Sequence, residues 1–289
     1  MSDVVEVTRD EIAAGLRRLG LAAGDGVIVH SSLSSFGRVA GGAEAVIDAL
    51  QAVITEAGTV MMPTFSHGLC YREGEAGYFE PLATPTPNGA IPEAFRRRGG
   101  VCRSWHPTHA FAAWGRKAAE YTRLHHRTLC CGRGSPLGLL WADGGWGLLL
   151  GVDYRSNTFH HVVETCTGAP CLGRRTTALA MKLPDGRIVE GRTWSWRDAG
   201  CPIDDPARYG QVMASRGLQR ETAIGACRAI AFRLSDCYEV VAELLGNGLG
   251  DLPPCSRCPV RPRRTGRSAP SDWDDARQCL KPDSPALDY

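Results

Sequence analysis

The segment from Asn157 to Glu164, with the sequence Asn-Thr-Phe-His-His-Val-Val-Glu, carries the side chains best suited to chemistry. Thr158, His161 and Glu164 are three residues apart, so on a helix they would share one face. A carboxylate one turn from an imidazole can hold it in one tautomer and increase its basicity, as a general base requires. The alternative is a surface helix on which the two groups merely pair in solvent, because this spacing is common.

The helix that would carry this set is predicted to follow a buried strand. An apolar run at 148–152 is typical of such a strand, and a short polar turn leads from it to Asn157 and Thr158, both good N-cap residues. Sheets of α/β proteins bind ligands at the carboxyl ends of their strands. We therefore expect His161 to lie at such an end, with Glu164 as its orienting carboxylate.

The N-terminal part of the chain predicts a strand, a polar loop, a helix and a second strand. The strands are expected at 27–29 and 59–65, and the helix follows Gly41 and Gly42. This order is typical of a βαβ unit and favours a parallel or mixed sheet. The loop at 30–38, the serine loop, can offer backbone N–H groups and hydroxyls to a phosphate. It matches neither a Walker motif nor GxGxxG, so an ordinary strand-to-helix loop is the alternative.

Further patterns predict the elements around this unit. The capping box formed by Thr8 and Glu11 starts a first helix over 9–19. A Pro-Asp-Gly turn at 184–186 predicts an antiparallel hairpin, and an apolar stripe over 221–245 predicts a long helix. The fold class that follows is α/β, with a central mixed β-sheet flanked by helices on both faces and an additional antiparallel β region in the C-terminal half. We expect a single domain over 1–289, with an α/β core at 1–174, a hairpin and helix region at 175–260 and a tail at 261–289.

Composition narrows the function classes. The chain has 289 residues, 43% of them hydrophobic and 22% charged, which is typical of a soluble globular protein. The sequence contains no run of eighteen apolar residues, which a membrane span would need. Its acidic start lacks an apolar signal core, so we expect a cytoplasmic protein. A net charge of +2 does not favour a nucleic-acid partner.

Other polar residues are candidates for binding. Glu80 and Glu93 lie in or beside a long loop at 66–91, and a loop of this length is typically functional. The pair His106 and His109 could bind a metal ion, but its extended segment contains a proline, which favours a hydrogen-bonding or packing role.

Several of these segments, taken in order, resemble the aminoglycoside 3-N-acetyltransferases. The resemblance lies in 27–37, 58–64, 103–107, 134–136 and the set Thr158-x-x-His161-x-x-Glu164, and it extends over about residues 8–250. Several motifs at consistent spacing make it specific. It implies direct acetyl transfer from acetyl-CoA to ring amine 3 of a 2-deoxystreptamine antibiotic, conferring antibiotic resistance; an acceptor amine unrelated to aminoglycosides is the alternative. A monomer or homodimer is expected.

The resemblance also implies a role for individual residues. His161 would be the base, Glu164 its orienting group, and Thr158 a donor to the thioester oxygen or thiolate. The cofactor would lie against the serine loop and Ser135, that is, His30, Ser31, Ser32, Leu33, Ser34, Ser35, Phe36, Gly37, Arg38 and Ser135. Carboxylates would surround a polycationic acceptor, namely Glu80, Glu93, Asp153 and Glu164.

Within the family the chain looks closest to the apramycin-acetylating branch, which also carries a Cys-x-x-Cys near its C-terminus. The chain has twelve cysteines, and in a reducing compartment these are expected to be buried thiols, such as Cys227 and Cys237, or metal ligands. Cys255 and Cys258 form half a zinc site, which Cys201 and either Cys171 or Cys166 could complete as a structural centre. Unliganded thiols or a redox pair are the alternative.

Three other functions compete with acetyl transfer. A metallohydrolase would use His106, His109, His160 and His161 with nearby acids. A binding protein without turnover would not need the complete set at 158, 161 and 164. A thiol mechanism would need Cys166 as nucleophile together with a neighbouring base.

Overall fold

The fold is known from a computed structural model. It describes residues 6–66, 78–167, 179–182, 185–191, 207–247, 273–274 and 279–280. The strands are β1 (Glu6–Val7), β2 (Gly26–Ser31), β3 (Arg38–Val39), β4 (Thr59–Pro63), β5 (Tyr78–Phe79), β6 (Cys102–Arg103), β7 (Phe111–Gly115), β8 (Trp146–Leu150), β9 (Leu179–Lys182), β10 (Ile188–Gly191), β11 (Gln219–Ile224), β12 (Cys227–Arg233), β13 (Trp273–Asp274) and β14 (Cys279–Leu280). The α-helices are α1 (Arg9–Arg18), α2 (Gly42–Ile54), α3 (Ala90–Phe95), α4 (Ala118–Thr122), α5 (Pro136–Ala142), α6 (Phe159–Cys166), α7 (Ala207–Ser215) and α8 (Leu234–Asn247).

A seven-stranded mixed sheet forms the centre of the protein. Its strand order is β11-β12-β8-β2-β4-β7-β6. The three middle strands, β8, β2 and β4, are parallel, whereas β12 and β7 run antiparallel to their inner neighbours. The chain leaves β2 towards β4 on one side and returns to β8 on the other. The carboxyl ends of β2 and β8 therefore meet at a topological switch point, where open α/β sheets bind their ligands.

Both faces of this sheet are buried, as the predicted fold class requires. On one face α1 and α2 pack against Val27, Val29 and Leu148. On the other face α6 and α8 pack against Ile28 and Leu149. Neighbouring residues of β2 and β8 thus point to opposite faces. This alternation decides which polar residues at the strand ends share a face with α6.

Several local predictions are confirmed. Thr8 and Glu11 form the capping box of α1, with the Thr8 N–H donating to Glu11 Oε2 at 2.7 Å. The predicted hairpin pairs β9 with β10 in antiparallel register, and β5 adds to it in parallel. No helix in the described ranges is long and apolar enough to cross a membrane. The division of the chain into three regions stays a prediction.

The long helix predicted over 221–245 is wrong in its first half. Strands β11 and β12 form a hairpin there, with Ile224 paired to Cys227 across a turn at Gly225 and Ala226. Gly225 has φ +58, a conformation that glycine adopts at little cost and that tight hairpins use. Both faces of β12 are covered, so its residues form a nearly continuous apolar run that also fits a helical stripe. Only the part from Leu234 onward is helical.

Candidate functional site

The carboxyl ends of β2 and β8 are joined directly. The Ser32 N–H donates to the Leu150 carbonyl at 2.9 Å, immediately after the last paired residues of the two strands. Gly151 follows with φ +66, and a Cβ there would lie 1.6 Å from Ser35 Oγ. The serine loop can therefore approach the β8 end only because residue 151 is a glycine. This contact fixes the loop beside the segment that leads to α6.

The start of α6 is held by a buried polar network. Asn157 Oδ1 accepts from the Phe159 N–H at 3.2 Å, so Asn157 caps the helix. Its side-chain amide donates to the Tyr209 hydroxyl at 3.2 Å and to Cys237 Sγ at 3.6 Å. Thr158 has helical backbone angles and makes no capping bond, so of the two predicted N-cap residues only Asn157 acts as one. Helices α7 and α8 thus position the turn on which the site is built.

The predicted pair of His161 and Glu164 is present in the structure. His161 Nδ1 lies 2.8 Å from Glu164 Oε2. The side chain of Glu164 is fully buried, whereas that of His161 is 22% exposed. An ionised carboxylate only accepts, so Nδ1 carries the proton and Nε2 has the lone pair. The surface-pair alternative is excluded for this carboxylate, since it has no access to solvent.

A second imidazole lies beside the first. The rings of His160 and His161 are 4.0 Å apart between centroids and inclined by 53°. His160 is buried, and its Nδ1 lies 2.6 Å from the Asn157 carbonyl oxygen, to which it donates. Sequence spacing gave no reason to single out this residue except as a metal ligand. The signal that would have found it is the His-His pair itself.

His30 and Ser31 end β2 with polar atoms that lack partners. His30 Nε2 and Ser31 Oγ are both buried and have no hydrogen-bond partner among the described residues. His30 follows the alternation of β2 and points to the same face as Ile28, where α6 packs. Burial lowers the pKa of His30 to about 4, so its ring is neutral at pH 7. Before a ligand binds, His30 therefore offers a hydrogen bond and no positive charge.

The rest of the serine loop is a short 3-10 helix at Leu33–Phe36. Ser35 Oγ donates to the Ser32 carbonyl at 2.7 Å, and Phe36 is buried in the core between the sheet and α2. Ser32 Oγ and Ser34 Oγ lie 3.1 Å apart, and both side chains are partly or fully exposed at the surface of the loop. These hydroxyls are the accessible donors of the loop.

Two of the residues predicted to bind the cofactor are already used within the protein. Arg38 Nε donates to Glu6 Oε1 at 3.0 Å on the surface, next to the turn at Gly37. Ser135 is fully buried and caps α5, donating to the Gly132 carbonyl at 2.7 Å and accepting from the Gly138 N–H at 3.2 Å. Their contacts with the cofactor stay predictions. To donate a hydrogen bond to the cofactor, the Ser135 hydroxyl would have to release the Gly132 carbonyl.

The predicted acidic residues differ in how much of their charge is available. Burial disfavours the charged form of Glu93, but hydrogen bonds from Arg96, the Thr86 amide and Arg97 outweigh it and lower its pKa to about 2. Glu93 therefore stabilises its own segment, and the two arginines neutralise the charge that a cationic ligand would need. Glu80 accepts from two backbone amides of its turn.

Asp153 is the acidic residue nearest in sequence to the end of β8. Hydrogen bonds from the Arg155 side chain and amide lower the pKa of Asp153, and its side chain is 43% exposed. Glu164 is committed to His161. Asp153 keeps an exposed side chain although Arg155 pairs with it, whereas Glu164 is fully buried.

The histidines at 106 and 109 have the packing role that their sequence favoured. His106 Nδ1 accepts from the His109 N–H at 3.0 Å, and its ring stacks on His125 at 4.6 Å. His125 in turn bonds Ser104 Oγ at 2.8 Å and the Cys130 carbonyl at 3.0 Å. Burial lowers the pKa of His106 and of His125, the latter to about 3. Among the described residues, neither His106 nor His109 belongs to a set of three metal-ligand groups.

Four of the predicted zinc ligands lie outside the described residues, whereas the alternative ligand Cys166 is a partly buried thiol at the end of α6. The four are Cys171, Cys201, Cys255 and Cys258, so structural zinc stays a prediction. Cys227 and Cys237 are fully buried thiols, as predicted. Burial also raises the pKa of Cys166, which opposes the thiolate that a nucleophile requires.

Known proteins resemble this chain in sequence and in fold. A family model described as aminoglycoside 3-N-acetyltransferase matches residues 28–246. The chain is 38% identical over 270 residues to aminoglycoside N(3)-acetyltransferase VII of Streptomyces paromomycinus, covering 84% of this chain and 93% of that protein. It is 40% identical over 176 residues to the prophage-derived aminoglycoside N(3')-acetyltransferase-like protein YokD of Bacillus subtilis. That second match covers 54% of this chain and 64% of YokD, which is less than two thirds of its length.

Solved structures have the same fold. The structure described as AAC-IIIb binary with CoASH superposes with a TM-score of 0.76 at 27% sequence identity. It covers 86% of this chain and all of the other. The mixed sheet and its flanking helices are therefore shared. The assignment to the apramycin-acetylating branch stays a prediction.

Proposed function

Because the chain belongs to the aminoglycoside 3-N-acetyltransferase family, we propose that it transfers the acetyl group of acetyl-CoA to the 3-amino group of a 2-deoxystreptamine antibiotic. The observation that carries this proposal is the 2.8 Å bond between His161 Nδ1 and the fully buried Glu164 carboxylate. A base oriented in this way is what an amine nucleophile requires, and its helix follows β8, whose carboxyl end meets that of β2 at the switch point of the sheet.

His161 accepts a proton at Nε2. An aminoglycoside amine is largely protonated at neutral pH and must lose a proton to attack a thioester. Glu164 keeps the Nδ1–H tautomer, so the lone pair is on Nε2, and it stabilises the imidazolium that forms. A positioned base contributes on the order of 10²–10⁴-fold in rate. Effective molarity from holding both reactants contributes further.

The transfer is balanced without a covalent enzyme intermediate. The amine nitrogen forms a bond to the acetyl carbon, and the carbon–sulfur bond breaks to release the CoA thiolate. The nitrogen loses two protons in all: one goes to solvent, and the other passes through His161 to the CoA thiolate, so the products are the amide and the CoA thiol and the enzyme is restored. Thr158, 7% exposed at the start of α6, would donate to the developing charge on oxygen or sulfur.

The serine loop is the proposed binding site for acetyl-CoA. Its support is the pair of buried polar atoms without described partners, His30 Nε2 and Ser31 Oγ, which a polar ligand would satisfy. Ser32 and Ser34 would add their hydroxyls, and His30, whose ring is neutral before a ligand binds, would add a hydrogen bond. Asp153 and Glu80 are the carboxylates proposed to receive the other amines of the acceptor.

The proposal is tested by assaying acetyl-CoA turnover with apramycin, gentamicin and a simple alkylamine. We expect thiol release with at least one aminoglycoside, and NMR of the product should place the acetyl group on ring amine 3. Turnover of the alkylamine alone would assign the chain to another amine. No turnover with any acceptor, by a folded protein that binds acetyl-CoA, would favour a binding protein and contradict the proposal.

A further inference from the structure

His160, His161 and Glu164 form a compact group of metal-ligating side chains. One ligand atom from each residue lies within 4.8 Å of the other two. Among the residues that the structure describes, no other three His, Cys, Asp or Glu side chains come together in this way. All three belong to α6 and are at least partly buried, so the backbone holds them close together in advance.

The donor set suits a borderline divalent cation. His160 donates its Nδ1 proton to the Asn157 carbonyl at 2.6 Å, which fixes the tautomer with the lone pair on Nε2. A backbone carbonyl bonded to the other ring nitrogen is the usual support of a metal-binding histidine. Two imidazole nitrogens and one carboxylate oxygen match the ligand preferences of Zn²⁺ and similar ions.

We propose that these three residues bind a Zn²⁺-like ion and that this binding inhibits the enzyme. Tetrahedral bonds of about 2.0–2.1 Å place ligand atoms roughly 3.3 Å apart. The 2.8 Å separation of His161 Nδ1 and Glu164 Oε2 is about 0.5 Å below that value. The largest separation in the group must shorten by about 1.5 Å, which is within reach of side-chain rotation.

Inhibition follows from which nitrogen of His161 the ion takes. At Nε2 the ion occupies the lone pair that would accept the proton of the amine. At Nδ1 it displaces the shared proton, and the neutral ring then carries its proton on Nε2. In either case His161 stops acting as a base. Ion binding does not depend on the proposed acetyl transfer, whereas its inhibitory effect does.

The ion would be an inhibitor and not a catalyst. His161 cannot be a metal ligand and a free base at the same time, and Glu164 would leave the imidazole it orients. The metallohydrolase alternative would also draw on His106 and His109, but His106 stacks on His125 and its Nδ1 accepts from the His109 N–H.

The test compares Zn²⁺ binding by the chelator-treated wild type with that of His160→Gln and a control. The control, His126→Gln, removes a partly buried imidazole outside the group. Bound zinc is counted by equilibrium dialysis, which also registers any cysteine site elsewhere in the chain. Turnover is measured from the acetylated product by mass spectrometry, because Zn²⁺ binds the released thiol.

We expect His160→Gln to bind one equivalent of zinc fewer than the wild type, or to bind it at least about tenfold more weakly, since loss of an outer partner alone costs 10–100-fold. His126→Gln should match the wild type. Zinc should inhibit the wild type and His126→Gln at concentrations at least about tenfold lower than His160→Gln.

Equal zinc binding by the wild type and His160→Gln would overturn the proposed site. If His160→Gln does not fold, Glu164→Gln replaces it in the dialysis measurement, which needs no activity. Binding of the extra equivalent without inhibition would overturn the inhibitory role. A wild type that binds the ion but acetylates no amine would instead contradict the proposed function and leave the site intact.

Discussion

Replacing Glu164 with glutamine changes the proton on His161 while keeping the shape of the side chain. Glu164 is fully buried, and its Oε2 lies 2.8 Å from His161 Nδ1. An amide can donate to Nδ1, which then carries the lone pair, and the ring proton moves to Nε2. The imidazole would present a proton to the amine instead of accepting one.

The size of the effect follows from burial. Water cannot replace the lost carboxylate as a partner of Nδ1, because Glu164 has no exposed surface. A comparable carboxylate-to-amide change behind a catalytic histidine costs about 10⁴-fold in turnover. We expect Glu164→Gln to lower kcat by about 10²–10⁴-fold, the range that the base itself contributes, or about 3–5.5 kcal/mol in activation free energy. The KM for acetyl-CoA should hardly change, because the serine loop is untouched.

The assay is thiol release with an aminoglycoside acceptor, together with circular dichroism to establish the fold. Glu243→Gln is the matched control, since Glu243 pairs with Arg216 on the surface, and its kcat should equal that of the wild type. Glu164→Asp should fall between the two, because it keeps the charge but shortens the reach. A folded Glu164→Gln within about tenfold of wild-type kcat would refute the orienting role.

Three further expectations concern the scaffold. Gly151→Ala should raise the KM for acetyl-CoA and lower the melting temperature, because its Cβ would overlap the serine loop. The control Gly186→Ala, also at positive φ but in open space, should lower stability only. Equal KM values for the two variants would contradict the role of Gly151. Arg103→Met should lower the free energy of unfolding by on the order of 3 kcal/mol, because this buried guanidinium donates to four acceptor oxygens. A denaturant midpoint equal to that of the wild type would show that these hydrogen bonds do not stabilise the fold. Burial lowers the pKa of His30 from 6.5 to about 4 and that of His125 to about 3, so the unfolded state binds more protons than the folded state below pH 6.5. The stability that is present above pH 6.5 should therefore be lost progressively towards pH 3. A melting temperature that is constant from pH 7 to 4 would contradict this.

Local sequence signals predicted the features whose causes are local. The pair of His161 and Glu164 is fixed by helical geometry, and the capping box of α1 by its own two residues, Thr8 and Glu11. The βαβ order placed β2 and β4 in parallel, and residue spacing alone was enough for that.

What the sequence did not predict depends on distant contacts. Strand β12 resembled a helical stripe because both of its faces are covered, one by the core next to α1 and α2 and the other by the core next to α6. The hydrogen bond from the Thr86 N–H to Glu93 Oε2 depends on how one short helix closes on its loop. The bond from Asn157 to Tyr209 joins residues 52 positions apart, and no spacing rule could have indicated it.

The central claim is that the imidazole of His161 takes the proton of the acceptor amine, and turnover of His161→Ala tests it most directly. With saturating acetyl-CoA and an aminoglycoside that the wild type acetylates, we expect kcat to fall by roughly a hundredfold or more. A folded His161→Ala enzyme that acetylates the same amine at the wild-type rate would contradict the account.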